Sequence, residues 1–265
     1  MTSSIPFLLP LKANEAASLA ELIFQQLDGR PLNDEQRNRL NTRAATLGLA
    51  VDEDEVDVVI LTGTDPAFCA GLDLRELGSS GSNLRGGADA ISLSPFAALW
   101  RMTKPVVGAI NGPCVTGGFE LALACDLLVA SERATFADTH ARVGLLPAGG
   151  MSTFLPQAVG YRRAKEMSLT GNFLGAHDAL AAGLVNHVVA HDDLLPFTRR
   201  LAADIAGNDQ AAVRALKRLY DENAKLTGAD AVANELRTFK GWRFDPAEVE
   251  RRRAGVVDRG RDQQG

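Results

Sequence analysis

Apolar residues along this chain fall into two alternating patterns, short dense runs and longer stretches at helical spacing. The densest run, VDVVILT at 56–62, is β-branched and too apolar for an exposed edge. It predicts a strand buried on both faces. Similar short runs at 106–110, 127–130 and 184–189 predict further buried strands, with a fragment at Thr135 and Phe136. Helical spacing marks 33–49, 91–102, 119–125, 158–169 and 176–182, the last stopped by Gly183, and a helix start near Met151. Residues 5–11 read as a strand or a loose arm, and 16–27 as a helix or a helix running into a strand. The acidic run 52–55 reads as a solvated loop, and the Gly/Ser/Asn-rich segment 78–87 as a mobile one. From Leu194 onward the pattern is helical throughout, over 195–206, 210–226 and 229–242, with a terminal helix after that. Strand and helix alternating, then helices alone, describe an α/β protein with parallel strands, crossovers and a C-terminal helical piece.

Composition acts mainly by exclusion. With 265 residues, 46% of them hydrophobic, the chain can bury one large core, alone or with an appendage. A formal net charge of −5 argues against a nucleic-acid partner. No stretch nears the ~20 apolar residues of a membrane span, and the first residues lack a basic leader. No membrane association is therefore expected, and the cytoplasm is the expected compartment. Cys69, Cys114 and Cys125 are odd in number and show no CxxC spacing, which argues against a disulfide framework or a zinc site. No GxGxxG, P-loop or HExxH occurs, and no metal is expected.

The stretch KPVVGAINGPCVTGGFELALACD, 104–126, carries the candidate chemistry. A buried strand, the pair Gly117 and Gly118, and a helix follow one another, so unpaired backbone N–H groups stand at a helix start. Glu120 lies in that first turn. Such donors hold developing negative charge while a carboxylate moves a proton. The plainer alternative is a tight turn whose glutamate complements the helix dipole, worth ~0.3–1 kcal/mol. A second loop, GTDPAFCAGLDL at 63–74, favours the chemical reading, because it too follows a buried strand. If the two strands are parallel neighbours, both loops open at one end of the sheet and one N–H from each can meet a single oxygen.

FCAGLDL at 68–74, NGPCVTGGFE at 111–120, and Cys125 and Asp126 followed by Thr135, Phe136 and Ala137 together resemble the enoyl-CoA hydratase/isomerase (crotonase) family. The likeness is close over 56–189 and looser in the helical tail. It implies a crotonase-like spiral of repeated ββα units over residues 1–195 and a C-terminal helical trimerisation region over 196–265. It implies acyl-CoA thioester chemistry, with coenzyme A as part of the substrate, no separate cofactor, and a homotrimer or hexamer. The oxyanion donors it assigns are the backbone N–H groups of Leu72 and Gly117. Ala70, Gly71, Asp73, Leu74 and Gly118 become the wall against the substrate, and Glu120 becomes the base that activates water. Trp242, Phe239 and Phe244 fall where interface or acyl-pocket residues are expected.

Two departures from the family pattern matter. Where the second glutamate of a hydratase is expected, this chain has His140. Either His140 donates the proton, or Asp138 turns toward the cavity and does so, or the position is structural. An enoyl-CoA double-bond isomerase, or a non-catalytic acyl-CoA binder, is the alternative to a hydratase. Upstream, RNRLN at 37–41 resembles the family's basic motif, but the segment after it is short, which leaves Arg37 or Arg39 as a phosphate contact or an exposed charge. His177, His187 and His191 read as structural or surface residues, and Arg251, Arg252 and Arg253 as a solvated face that alternatively reaches a neighbour's CoA phosphate.

Overall fold

The computed structural model describes residues 7–11, 56–71 and 95–264. They belong to two compact units, Met1–Arg214 and Ala215–Gly265. In the first unit the strands are β1 (Phe7–Leu11), β2 (Val59–Gly63), β3 (Val106–Ile110), β4 (Pro113–Val115), β5 (Leu127–Ser131), β6 (Thr135–Ala137), β7 (Leu174–Gly175) and β8 (His187–Val189). Its helices are α1 (Pro95–Trp100), α2 (Gly117–Leu123), α3 (Met151–Val159), α4 (Tyr161–Thr170), α5 (Ala176–Ala181) and α6 (Leu194–Ala206). Among these residues no helix is long and apolar enough to cross a membrane.

The main sheet runs β1-β2-β3-β5-β8 with every neighbouring pair parallel. Val59 stands opposite Val106, and Val107 opposite Leu127. All five residues of β3 are buried because both faces of the sheet are covered. One face packs Val106 and Ile110 with Phe119, Phe136, Met151 and Leu155. The other packs Val107 and Ala109 with Leu194 and Ala202 of α6. Burial on both sides explains why the strand reads as an unbroken apolar run.

Three features differ from the expectation. Residues 113–115, for which no strand is expected, form β4, which makes a second sheet with β6 and β7. The helix expected over 158–169 is two helices, because Gly160 at φ 77° separates α3 from α4. The strand expected over 184–189 pairs only from His187. Before it, Asn186 prolongs the ladder with its side chain: Leu128 N–H donates to Asn186 Oδ1 at 2.8 Å while Asn186 N–H donates to Leu128 O at 2.8 Å. Leu184 and Val185 fill the core instead.

The helix α7 (Gln210–Asn223) begins in the first unit and ends in the second, which continues with α8 (Gly228–Gly241) and α9 (Pro246–Gln264). Asn234 of α8 donates to Glu222 and Asn223 at 3.0 Å each. Arg251 and Arg252 pair with Glu248 on their own helix, and Arg253 pairs with Glu250. Tyr220, Leu236, Phe239 and Phe244 stand exposed.

Candidate active site

Because β2 and β3 are parallel neighbours, the loops that follow them leave the same edge of the sheet. They are stitched together by backbone. Phe68 and Cys69 N–H donate to Pro113 O at 3.1 and 3.2 Å, and Val115 N–H donates to Cys69 O at 2.9 Å. Glycine stands where the two chains cross. A Cβ at Gly118 would lie 2.1 Å from Cys69 O, so no side chain fits there. A Cβ at Gly71, whose φ is +85°, would lie 3.3 Å from Gly117 N. The two glycine loops therefore meet, and Gly71 stands beside the Gly117 amide. Ala70 is exposed on the same loop. Leu72, Asp73 and Leu74, together with Arg37 and Arg39, lie outside the described residues.

The first intrahelical bond of α2 is from Glu120 N–H to Thr116 O at 3.0 Å. The amides of Gly117, Gly118 and Phe119 are thus the first-turn donors that a helix leaves without an intrahelical partner. Thr116, before them, has φ 53°, unusual for a β-branched residue. It is pinned from both ends. Its N–H donates to Ala137 O at 2.9 Å, and its hydroxyl shares a 2.5 Å hydrogen bond with that of Thr139. That clasp brings the chain after β6, and with it His140, up against α2.

Glu120 projects from the first turn of α2 and is only 3% exposed. Its Oε1 accepts the Gly149 N–H at 2.6 Å, and the Met151 N–H stands 3.5 Å away at the start of α3. Burial pushes the carboxyl pKa above the ordinary glutamate range, with the Gly149 amide and His140 pulling back only in part. A Cβ at Gly149 would lie 2.8 Å from Glu120 Cδ, so this glycine lets the α3 N-terminus close on the carboxylate.

His140 opens a short 3-10 turn, His140–Val143, and is 8% exposed. Its Nδ1 is 2.7 Å from Asp138 Oδ1, and its Nε2 is 3.9 Å from Glu120 Oε2. The same Asp138 oxygen accepts the His140 backbone N–H at 3.2 Å. Asp138 faces His140 rather than turning away from it. Burial alone would raise its pKa, but hydrogen bonds from the His140 and Ser168 side chains outweigh that and hold it below the usual carboxylate range. Beside the α3 N-terminus, the rings of Trp100 and Phe154 lie 5.5 Å apart, and a Cβ at Gly150 would touch both. They give the region an apolar wall.

Glu120, His140, Asp138, Gly117, Gly118, Gly71 and Ala70 are thus brought to one neighbourhood. Gly149, Thr116, Thr139 and Ser168 join them without having been singled out from sequence. The pair Gly149 and Gly150 ahead of a helix start was the one available signal. Among the described residues no group of three or more His, Cys, Asp or Glu side chains is arranged to hold a metal ion. His187 packs its ring 4.9 Å from that of Phe197, and His191 lies between Ser131 and Asp65.

The sequence model of the enoyl-CoA hydratase/isomerase family matches residues 33–256. The crystal structure of an enoyl-CoA hydratase from Mycobacterium smegmatis is 53% identical, covering 78% of this chain and 85% of that one, with a TM-score of 0.57. An enoyl-CoA hydratase structure from Bacillus anthracis is 29% identical, covers 86% of this chain and 87% of that one, and superposes with a TM-score of 0.71. A protein of Arabidopsis thaliana named probable enoyl-CoA hydratase 1, peroxisomal, is 42% identical over 73% of this chain and 74% of its own length.

Proposed function

This chain belongs to the enoyl-CoA hydratase/isomerase family and has its crotonase-like α/β fold, and from that premise we propose that it adds water across the double bond of a 2-enoyl-CoA thioester. Coenzyme A enters as part of the substrate, and water addition calls for no further cofactor. The observation that carries the reading is Glu120, buried beside the meeting point of two glycine loops with its carboxylate set between the Gly149 amide and the His140 ring.

In this mechanism the thioester oxygen is held by the Gly117 N–H, with the Leu72 N–H as the second donor. Fixed backbone donors need little reorganisation as charge shifts onto that oxygen. Glu120, ionised, takes a proton from water as the water oxygen bonds the β-carbon, and an enolate forms on the thioester. His140, protonated, gives its Nε2 proton to the α-carbon. The product has gained one water, Glu120 holds a proton and His140 has lost one. Exchange with solvent then removes the proton from Glu120 and returns one to His140 Nε2, which restores the starting state. Ala70, Gly71, Asp73, Leu74 and Gly118 form the wall along which the thioester lies. The exposed Phe239 and Phe244 of the helical C-terminal region, 196–265, suit burial between subunits of a trimer or hexamer.

A mass-resolved product screen over 2-enoyl- and 3-enoyl-CoA thioesters tests this. The expected result is a 3-hydroxyacyl product heavier by one water, with Glu120→Gln lowering turnover about 10²–10⁴-fold. Conversion without mass gain would make the protein an isomerase. Thioester binding with no turnover, or turnover indifferent to Glu120→Gln, would remove the catalytic role of Glu120.

A further inference from the structure

We propose that Asp138 is a positioning residue: by accepting the Nδ1–H of His140 it orients the ring so that the second proton of the imidazolium is carried on Nε2, the nitrogen facing Glu120. This deepens the reading above and rests on His140 being the partner of Glu120.

The geometry leaves the ring little choice. Asp138 Oδ1 receives both the backbone N–H and Nδ1 of the same residue, at 3.2 and 2.7 Å, so backbone and side chain are gripped by one oxygen. Ser168, from α4, hydrogen-bonds the Asp138 side chain. A carboxylate held this way accepts a proton poorly and keeps the Nδ1 proton in place. Nε2 is then the position that gains and loses a proton. At 3.9 Å from Glu120 Oε2 it lies beyond hydrogen-bond length, so its lone pair or proton is not spent on that carboxylate.

Among the described residues, few ionisable groups face this pair. Asp138 lies on its own loop, and Glu120 faces it from α2. The α3 segment MSTFLPQAV has no ionisable side chain and contributes amides only. On the adjoining α4, Arg162, Arg163, Lys165 and Glu166 are exposed. Arg142, in the turn that His140 opens, is directed to Thr170 O and Asn172 Oδ1. Cys114, paired in register with Phe136 of β6, is fully buried, and burial raises its thiol pKa.

The test is long-range ¹H–¹⁵N NMR on full-length protein labelled at its four histidines, with His140→Gln used only to assign the His140 signals. In the unsubstituted protein, Nδ1 should stay protonated across the titration while Nε2 alone changes. A neutral ring protonated at Nε2 instead would overturn the proposal, and this reading needs neither turnover nor a substitution at Asp138. In Asp138→Asn, whose amide has no charge to hold the Nδ1 proton, the neutral ring should shift toward the Nε2–H form. Turnover of a 2-enoyl-CoA should fall about tenfold to hundredfold, KM should stay within about twofold, and the basic limb of the pH profile should move to lower pH. An unmoved basic limb in a folded Asp138→Asn protein would also overturn the proposal. If the unsubstituted protein hydrates no enoyl thioester, the proposed reaction fails while the NMR result still decides the role of Asp138.

Discussion

Among the described residues the first unit contains two Asp–His pairs, and they differ in what each ring has left over. His191 uses both nitrogens: Nδ1 is 3.0 Å from Ser131 Oγ and Nε2 is 3.1 Å from Asp65 Oδ2. In order, Ser131, His191 and Asp65 have the composition of a nucleophilic triad. Yet Ser131 is fully buried, and its Oγ also accepts the Arg133 N–H at 3.1 Å. Asp65 further accepts Asn111 Nδ2 at 2.9 Å, so this line of bonds ties the ends of β2, β3 and β5 together. It is a structural clasp. His140 spends only Nδ1 on its aspartate and leaves Nε2 facing a buried carboxylate. The same two residue types give a clasp in one place and, in the proposed mechanism, a proton carrier in the other, and the ring nitrogen left facing Glu120 makes the difference.

The largest effect should separate the two histidines. His140→Gln is expected to lower hydration turnover about 10²–10⁴-fold. His191→Gln should leave it within about twofold and lower the melting temperature by roughly 2–4 °C, the shift for about 1 kcal/mol of lost hydrogen bonding. Equal losses of turnover would break the comparison. A smaller effect concerns pH. Since Glu120 must be ionised to take a proton, the acid limb of kcat/KM should lie above the ordinary glutamate range, the direction in which burial moves it. A limb inside that range would contradict the burial account.

The smallest effect is on stability. Folded Glu120 keeps its proton to higher pH than the unfolded chain does, so between those two values the folded state binds more protons and stability falls as pH rises. Asp138 has the opposite sign: its contribution is present above the ordinary aspartate value and is lost as pH falls through the depressed one. Glu120→Gln should therefore flatten the decline on the neutral side and leave the acid-side loss in place. Melting temperatures across pH check this, and an unchanged slope would count against a buried, ionising Glu120.

Elements whose signal is local were legible from sequence. β3 reads as an apolar run because both of its faces are covered, and Glu120 was visible because a double glycine followed by a helix start is a local pattern. The second sheet was not, since β4 and β7 are three and two residues long and sit among turn residues. Gly160 is masked in the sequence by the helical spacing on either side of it, which it divides into two helices. Gly149 has no meaning until α3 approaches the Glu120 carboxyl, a tertiary event that no spacing encodes. His140 and Asp138 both stand out in the sequence as candidates. That one is turned by the other depends on the 3-10 turn and on Ser168 arriving from α4.

The central claim, that water is added and not merely a double bond moved, is tested most directly by running the reaction on a 2-enoyl-CoA in ¹⁸O-labelled water. The account predicts a 3-hydroxyacyl-CoA with one labelled oxygen on the β-carbon, formed by the unsubstituted protein and lost in Glu120→Gln. A product of unchanged mass with its double bond shifted, or label incorporation that survives Glu120→Gln, would contradict it.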